Sequence, residues 1–95
     1  MNAVMTATIA REATLALLAA RASGATVCPS EVARALVASG AAAATSNWRD
    51  MMPAVHAAVD RLHAEGLIGL SWRGKMLTAR DGPYRIRAPG RDQRS

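Results

Sequence analysis

Ile68-Gly69-Leu70-Ser71-Trp72-Arg73 is where this chain changes its period. Upstream, apolar residues recur every three to four positions, the spacing of a buried helical stripe. Here Ile68, Leu70 and Trp72 alternate with Gly69, Ser71 and Arg73, the two-residue repeat of a strand with one buried face. The alternation returns at Tyr84-Arg85-Ile86-Arg87. Two such strands are expected to pair, with their apolar side chains toward the helices and Arg73, Arg85 and Arg87 together on the outer face. Gly74–Gly82 reads as the loop between them and carries Lys75 and Arg80. A tight turn at Gly74-Lys75, with Met76–Thr78 pairing back first, is the alternative. Trp72 and Tyr84 are expected to be core residues of the hairpin.

Working outward from this point, the preceding sequence reads as three helices. The first is expected from about Thr6 to Ala22, with Ile9, Ala13, Leu17 and Ala20 on one stripe and Leu15 and Leu18 widening it. Ser23-Gly24 stops it, and Ala25–Val27 is enough for one brief strand. The second opens at Cys28-Pro29-Ser30-Glu31. Pro29 fits the first helical position, and Glu31 in the first turn favours the helix dipole. Val32, Ala35 and Leu36 form its stripe, Ser39-Gly40 ends it, and Ala41–Asn47 reads as a loop. The third opens near Asn47, a favoured N-cap with Asp50 three residues on. Its stripe is Trp48, Met51 or Met52, Val55, Val59 and Leu62, and it ends at Glu65-Gly66. Pro53 would break a helix at mid-length, so either Trp48–Met52 is a separate first turn or the helix is kinked. Trp48 is expected to be buried between helix 1 and the hairpin, near Ile68 or Leu70.

Helix, short strand, helix, helix, strand, strand is an α+β order. It is that of a winged helix-turn-helix: three helices with a short strand and a C-terminal β-hairpin wing. The expected domain spans residues 1–88, and residues 89–95 are a flexible basic tail.

Composition agrees with one small domain. The chain has 95 residues, 51% of them hydrophobic, which excludes disorder; Phe is absent, so Leu, Val, Ile, Met and two Trp must build the core. Residues 1–72 hold five basic and five acidic side chains, whereas residues 73–95 hold seven basic and two acidic ones. The whole +5 excess therefore lies in the last quarter, and a basic segment behind a neutral body suits an anionic partner. Eleven of the twelve basic residues are Arg in an Ala-rich chain, so codon bias contributes to that arginine. Cys28 alone allows no intramolecular disulfide, which fits a reducing cytoplasm. No signal-peptide pattern is read at the N-terminus, and no uncharged run reaches the ~18 residues of a membrane span.

Chemistry-bearing constellations are few. His56 and His63 lie seven apart on one helix, about 10.5 Å of rise, too far for one ion, and both are expected on the surface. No nucleophile has a neighbouring base, and no glycine-rich phosphate loop is present, so neither catalysis nor a cofactor or small-molecule substrate is expected. Helix 3 should present Arg49, Pro53, His56, Ala57, Asp60 and Ala64, a poor set for reading bases. The expected nucleic-acid contacts are Asn47, Arg49 and His56 near a groove and Arg73, Lys75, Arg80, Arg85 and Arg87 on phosphates, with Arg91 and Arg94 as an extension.

Three stretches carry a family resemblance: Val27-Cys28-Pro29-Ser30-Glu31-Val32-Ala33-Arg34-Ala35-Leu36, Trp48-Arg49-Asp50-Met51-Met52-Pro53-Ala54-Val55 and Gly82-Pro83-Tyr84-Arg85-Ile86-Arg87. Together they resemble small bacterial winged-helix proteins catalogued only as a domain of unknown function. The resemblance implies a fold and brings no reaction or ligand. The expectation is therefore a duplex-DNA binder of low sequence preference, transcriptional regulation being one such role. The alternative is a protein-interaction module, including a homodimer through Leu15, Leu18 and Met5 of helix 1.

Overall fold

A computed structural model describes residues 3–21, 25–39, 47–80 and 82–89, without the side chains of 3–6. The elements are α1 (Ala3–Ala19), α2 (Pro29–Ala38), a 3-10 turn (Trp48–Met51), α3 (Met52–Ala64), β1 (Gly69–Trp72), β2 (Lys75–Leu77) and β3 (Arg85–Arg87). Three helices with a three-stranded antiparallel sheet make an α+β fold consistent with a winged-helix arrangement. Residues 22–24, 40–46 and 90–95 lie outside the description, and with them Gly24, Gly40, most of the Ala41–Asn47 stretch and the basic tail.

Local chemistry sets the helix boundaries. Pro29 occupies the first turn of α2, and the Glu31 carboxylate reaches back to accept from the Cys28 N–H at 2.7 Å. Of the two arrangements open for Pro53, the separate turn is found. Asn47 caps the 3-10 turn by accepting from the Arg49 N–H at 3.0 Å, and α3 then restarts with Pro53 in its first turn, where no hydrogen bond is lost. At the other end of α3, Gly66 takes φ +76. Its N–H donates to the His63 carbonyl, and that of Leu67 to the Leu62 carbonyl, both at 3.0 Å. These two bonds together form a Schellman cap.

The sheet order is β2-β1-β3. Leu70 is paired with both Leu77 and Ile86, so the core face of all three strands converges there. Val27 exchanges two backbone hydrogen bonds with Ile86, at 2.7 and 2.8 Å. The brief strand expected at Ala25–Val27 is thus a single bridge on the free edge of β3. Val27, Val32, Leu36, Val55, Val59, Leu62, Leu70 and Ile86 form the fully buried centre.

Four expectations are corrected. α1 ends at Ala19, and its fully buried positions are Ala10 and Thr14, one residue off the expected stripe. Thr14 tolerates this because its hydroxyl donates to the Ala10 carbonyl at 2.8 Å. The stretch read first as a Gly74–Gly82 loop contains β2, so the tight-turn alternative holds, with the turn at Arg73-Gly74. Both turn residues have positive φ, 53 and 83, as a two-residue type I′ hairpin demands. Arg73 consequently leaves the row that Arg85 and Arg87 form on the sheet. Trp72 is not a core residue but remains 36% exposed. β3 starts opposite Ser71, so Trp72 lies past the end of that pairing.

Candidate nucleic-acid interface

Ion pairing sorts the cations of this molecule into two groups. Arg11 and Arg61 share Glu65, at 2.7 and 3.5 Å; Arg21 pairs with Glu31 at 2.7 Å; Arg80 pairs with Asp60 at 2.9 Å. Among the described residues, Arg34, Arg49, Arg73, Lys75, Arg85 and Arg87 have no carboxylate within salt-bridge distance. The paired set ties the helices to one another and to the loop after β2. The second set is gathered at the turn before α3, at the tip of the β1–β2 hairpin and on the sheet.

The turn before α3 carries the densest group. Trp48 is half-buried against α2, and two guanidinium carbons lie over its ring, those of Arg34 and Arg49, each 4.6 Å from the centroid. This corrects the expected burial of Trp48 between helix 1 and the hairpin. The turn is short and packs on α2 and α3, so the indole covers the exposed side of α2. Such stacking is worth ~0.5–1 kcal/mol at exposed sites, and it restrains two otherwise mobile side chains. Asn47 and Arg49 are exposed here, as expected. Arg34 was not singled out in the sequence. The available signal was a Trp-Arg pair directly after a helix-capping Asn, a position at the surface.

The wing carries a second such contact, with the Arg73 guanidinium 5.8 Å from the Trp72 ring centroid. Lys75 faces Trp72 across the hairpin and is exposed. Arg85 and Arg87 are half-buried. The Arg85 Nε donates to Thr26 Oγ1 at 2.6 Å, while the Arg87 Nε is buried without a partner among the described residues.

Two contacts tie the loop and strand that follow β2 to α3. His56 is not a free surface residue: its Nδ1 lies 2.7 Å from the Tyr84 hydroxyl, and the two rings are tilted at a 5.7 Å centroid distance. Tyr84 is buried, as expected. Burial lowers the His56 pKa, and the nearby Arg80 charge lowers it further. The imidazole is thus held neutral beside the phenol, its tautomer deciding which of the two donates. Burial also drives the Tyr84 pKa up, so the phenol keeps its proton. One turn along, Arg80 holds Asp60 with two hydrogen bonds, at 2.9 and 3.0 Å, and depresses the Asp60 pKa. Arg80, expected on phosphate, is thus already engaged by a carboxylate, and His56 is engaged by Tyr84.

The remaining expectations concern other surfaces. Among the described residues no group of His, Cys, Asp and Glu could hold a metal ion. Leu15, Leu17 and Leu18 are partly buried and pack on the core, leaving α1 less bare than its sequence implied; Met5 lies outside the described side chains. A shallow groove of about 450 Å³ runs between α1 and α3, lined by Ala7, Thr8, Ala57 and Ala58 and by the Arg11–Glu65–Arg61 ion-pair cluster. None of the described helices is long and apolar enough to cross a membrane.

The described geometry defines a small α+β fold whose cations at the turn before α3 and at the hairpin tip have no carboxylate within salt-bridge distance among the described residues. By sequence the chain belongs to the family described as protein of unknown function (DUF3253), whose model matches residues 7–89. That match spans α1 from residue 7 onward, α2, α3 and the whole described sheet. No curated protein matches the chain.

Proposed function

We propose that this chain is a cytoplasmic winged-helix protein of bacterial type that binds duplex DNA through its phosphate backbone. One observation carries the reading. Arg11, Arg21, Arg61 and Arg80 are matched by carboxylates, whereas Arg49, Arg73 and Lys75, at the turn before α3 and at the hairpin tip, are exposed and have none among the described residues. Unmatched exposed cations release counterions when they meet phosphates, which gives salt-sensitive affinity.

Sequence readout is weak in this arrangement. The exposed positions of α3 are Pro53, Ala57, Asp60, Arg61 and Ala64. Asp60 and Arg61 are committed to Arg80 and Glu65, and alanine offers no hydrogen bond to a base edge. The wing and the turn before α3 therefore supply position, not specificity. His56 and Arg80 act as positioning residues that hold the wing against α3, and Arg85 and Arg87 sit beneath the contact as half-buried charge.

Fluorescence anisotropy of a labelled random-sequence duplex tests this. Binding is expected at low salt and is expected to weaken steeply as salt rises. Arg73→Ala with Lys75→Ala should weaken binding to every sequence alike. Absence of binding to any duplex at low salt overturns the reading.

A further inference from the structure

We propose that Arg34 and Arg49, stacked on Trp48, form a preorganised clamp for a phosphate group. The inference rests on the reading of the chain as a DNA binder and names the phosphate anchor ahead of α3. Each guanidinium carbon lies 4.6 Å from the same ring centroid, so the two charges are held within about 9 Å of each other. Like charges at that range repel, and no carboxylate of the described residues lies within salt-bridge distance of either. Arg11 and Arg61 on the helices and Arg21 just past α1 each have an acidic partner. An anion between or beside the two guanidiniums supplies the missing compensation.

The indole sets the geometry. Trp48 is half-buried and anchored by the 3-10 turn, whose Asn47 cap fixes the Arg49 backbone at 3.0 Å. Arg34 comes from α2 and Arg49 from the turn, so the clamp joins two elements that are separate in sequence and packed together in the fold. A guanidinium held over a ring by cation–π attraction keeps N–H donors that can serve phosphate oxygens in pairs. A Lys in either place would lose both the stacking and the paired donation. The wing contributes separately through Arg73 and Lys75, so the two anchors can be removed one at a time.

The test uses a Trp72→Phe reference protein, which leaves Trp48 as the sole indole of a chain with two Trp. Trp48 emission is followed on adding a random duplex and, separately, inorganic pyrophosphate. Duplex binding is followed as a function of salt in the reference protein and in Arg34→Gln/Arg49→Gln made on it. An Arg34→Lys/Arg49→Lys pair keeps the charge, and circular dichroism verifies the fold of each variant. The clamp predicts that duplex changes Trp48 emission. It also predicts that the Gln pair loses that change, binds about tenfold more weakly, and reduces the slope of log K against log salt by ~0.9, the share of the one phosphate the clamp holds. The Lys pair should recover most of the slope but not the affinity. If the reference protein binds duplex with unchanged Trp48 emission, and the Gln pair matches its affinity and slope, the clamp is overturned while the DNA reading stands. If no duplex binds but pyrophosphate changes Trp48 emission through both arginines, the clamp stands as a site for a free phosphate compound and the DNA reading falls. Silence toward both probes overturns both.

Discussion

Arg73→Asn should make this protein more stable and a worse DNA binder at once. Arg73 sits at φ 53, followed by Gly74 at φ 83, between the paired residues Trp72 and Lys75. A left-handed backbone costs an ordinary side chain ~1–2 kcal/mol, and Asn is one of the few residues that adopts it readily. Asn-Gly is also the favoured pair for this two-residue turn. Against that gain stands the loss of the Arg73 contact with Trp72, which at 5.8 Å and an exposed site is worth ~0.5 kcal/mol. No described ion pair or hydrogen bond of Arg73 is lost besides. The net is a stabilisation of about 0.5 kcal/mol, which in a domain of this size raises Tm by about 2–4 °C. One phosphate contact disappears, so the slope of log K against log salt should fall by ~0.9. Thermal circular dichroism and anisotropy titrations at several salt concentrations measure both. A lower Tm would show that the turn is not strained at Arg73. An unchanged slope would show that the wing tip does not meet phosphate, and that the strain has no functional reason.

Tyr84→Phe removes the partner of His56 and should cost ~0.5–1.5 kcal/mol by thermal unfolding, with the ring packing kept; an unchanged Tm would mean the hydrogen bond is not formed in solution. The depressed His56 pKa means that the unfolded chain takes up a proton first as pH falls through about 6.5. Stability should therefore decline below that pH until the folded pKa is also passed, and His56→Gln should flatten this part of the profile. The Asp60, Glu31 and Glu65 carboxylates act lower in pH: each is held below its ordinary value by an arginine hydrogen bond, so their stabilisation is present above pH ~4.5 and is lost as pH falls through the folded pKa values. Trp48→Ala should cost about half of the ~3–5 kcal/mol typical of a buried Trp, because the indole is only half-buried; complete unfolding would show that it is a core residue after all. Ile86→Ala, by contrast, opens the centre of the sheet and should cost ~2–5 kcal/mol, enough to abolish a cooperative transition at moderate temperature.

The architecture was legible wherever the deciding chemistry was local. Pro29 with Glu31, Asn47 with the proline six residues on, and Gly66 all act within one turn, and each produced the boundary its chemistry requires. The alternation at Ile68–Trp72 likewise gave a strand, though its far end was misjudged. Periodicity assigns a face to Trp72 but does not say where the partner strand begins, and β3 begins too late to cover it. The site was less legible for the same reason. Arg80 meets Asp60 across 20 residues and His56 meets Tyr84 across 28, so a chain position that looked like free charge or free imidazole was already engaged. Arg34 lay on the outward face of α2, where an isolated arginine is unremarkable until Trp48 is folded onto it. The basic excess of residues 73–95 was evident, but not its division into paired and unpaired groups, which depends on tertiary contacts.

The most direct measurement is the salt dependence of binding to a random-sequence duplex by the intact chain, followed by anisotropy from about 20 mM upward. The Arg34–Arg49 clamp, Arg73 and Lys75 amount to three phosphates, and a slope of log K against log salt of about −2.7 follows at ~0.9 per phosphate. Affinity should be nearly the same for unrelated sequences, since α3 offers little to read. A duplex left unbound at the lowest salt, or bound with a slope near zero, would contradict the assignment of the unpaired cations to the DNA backbone.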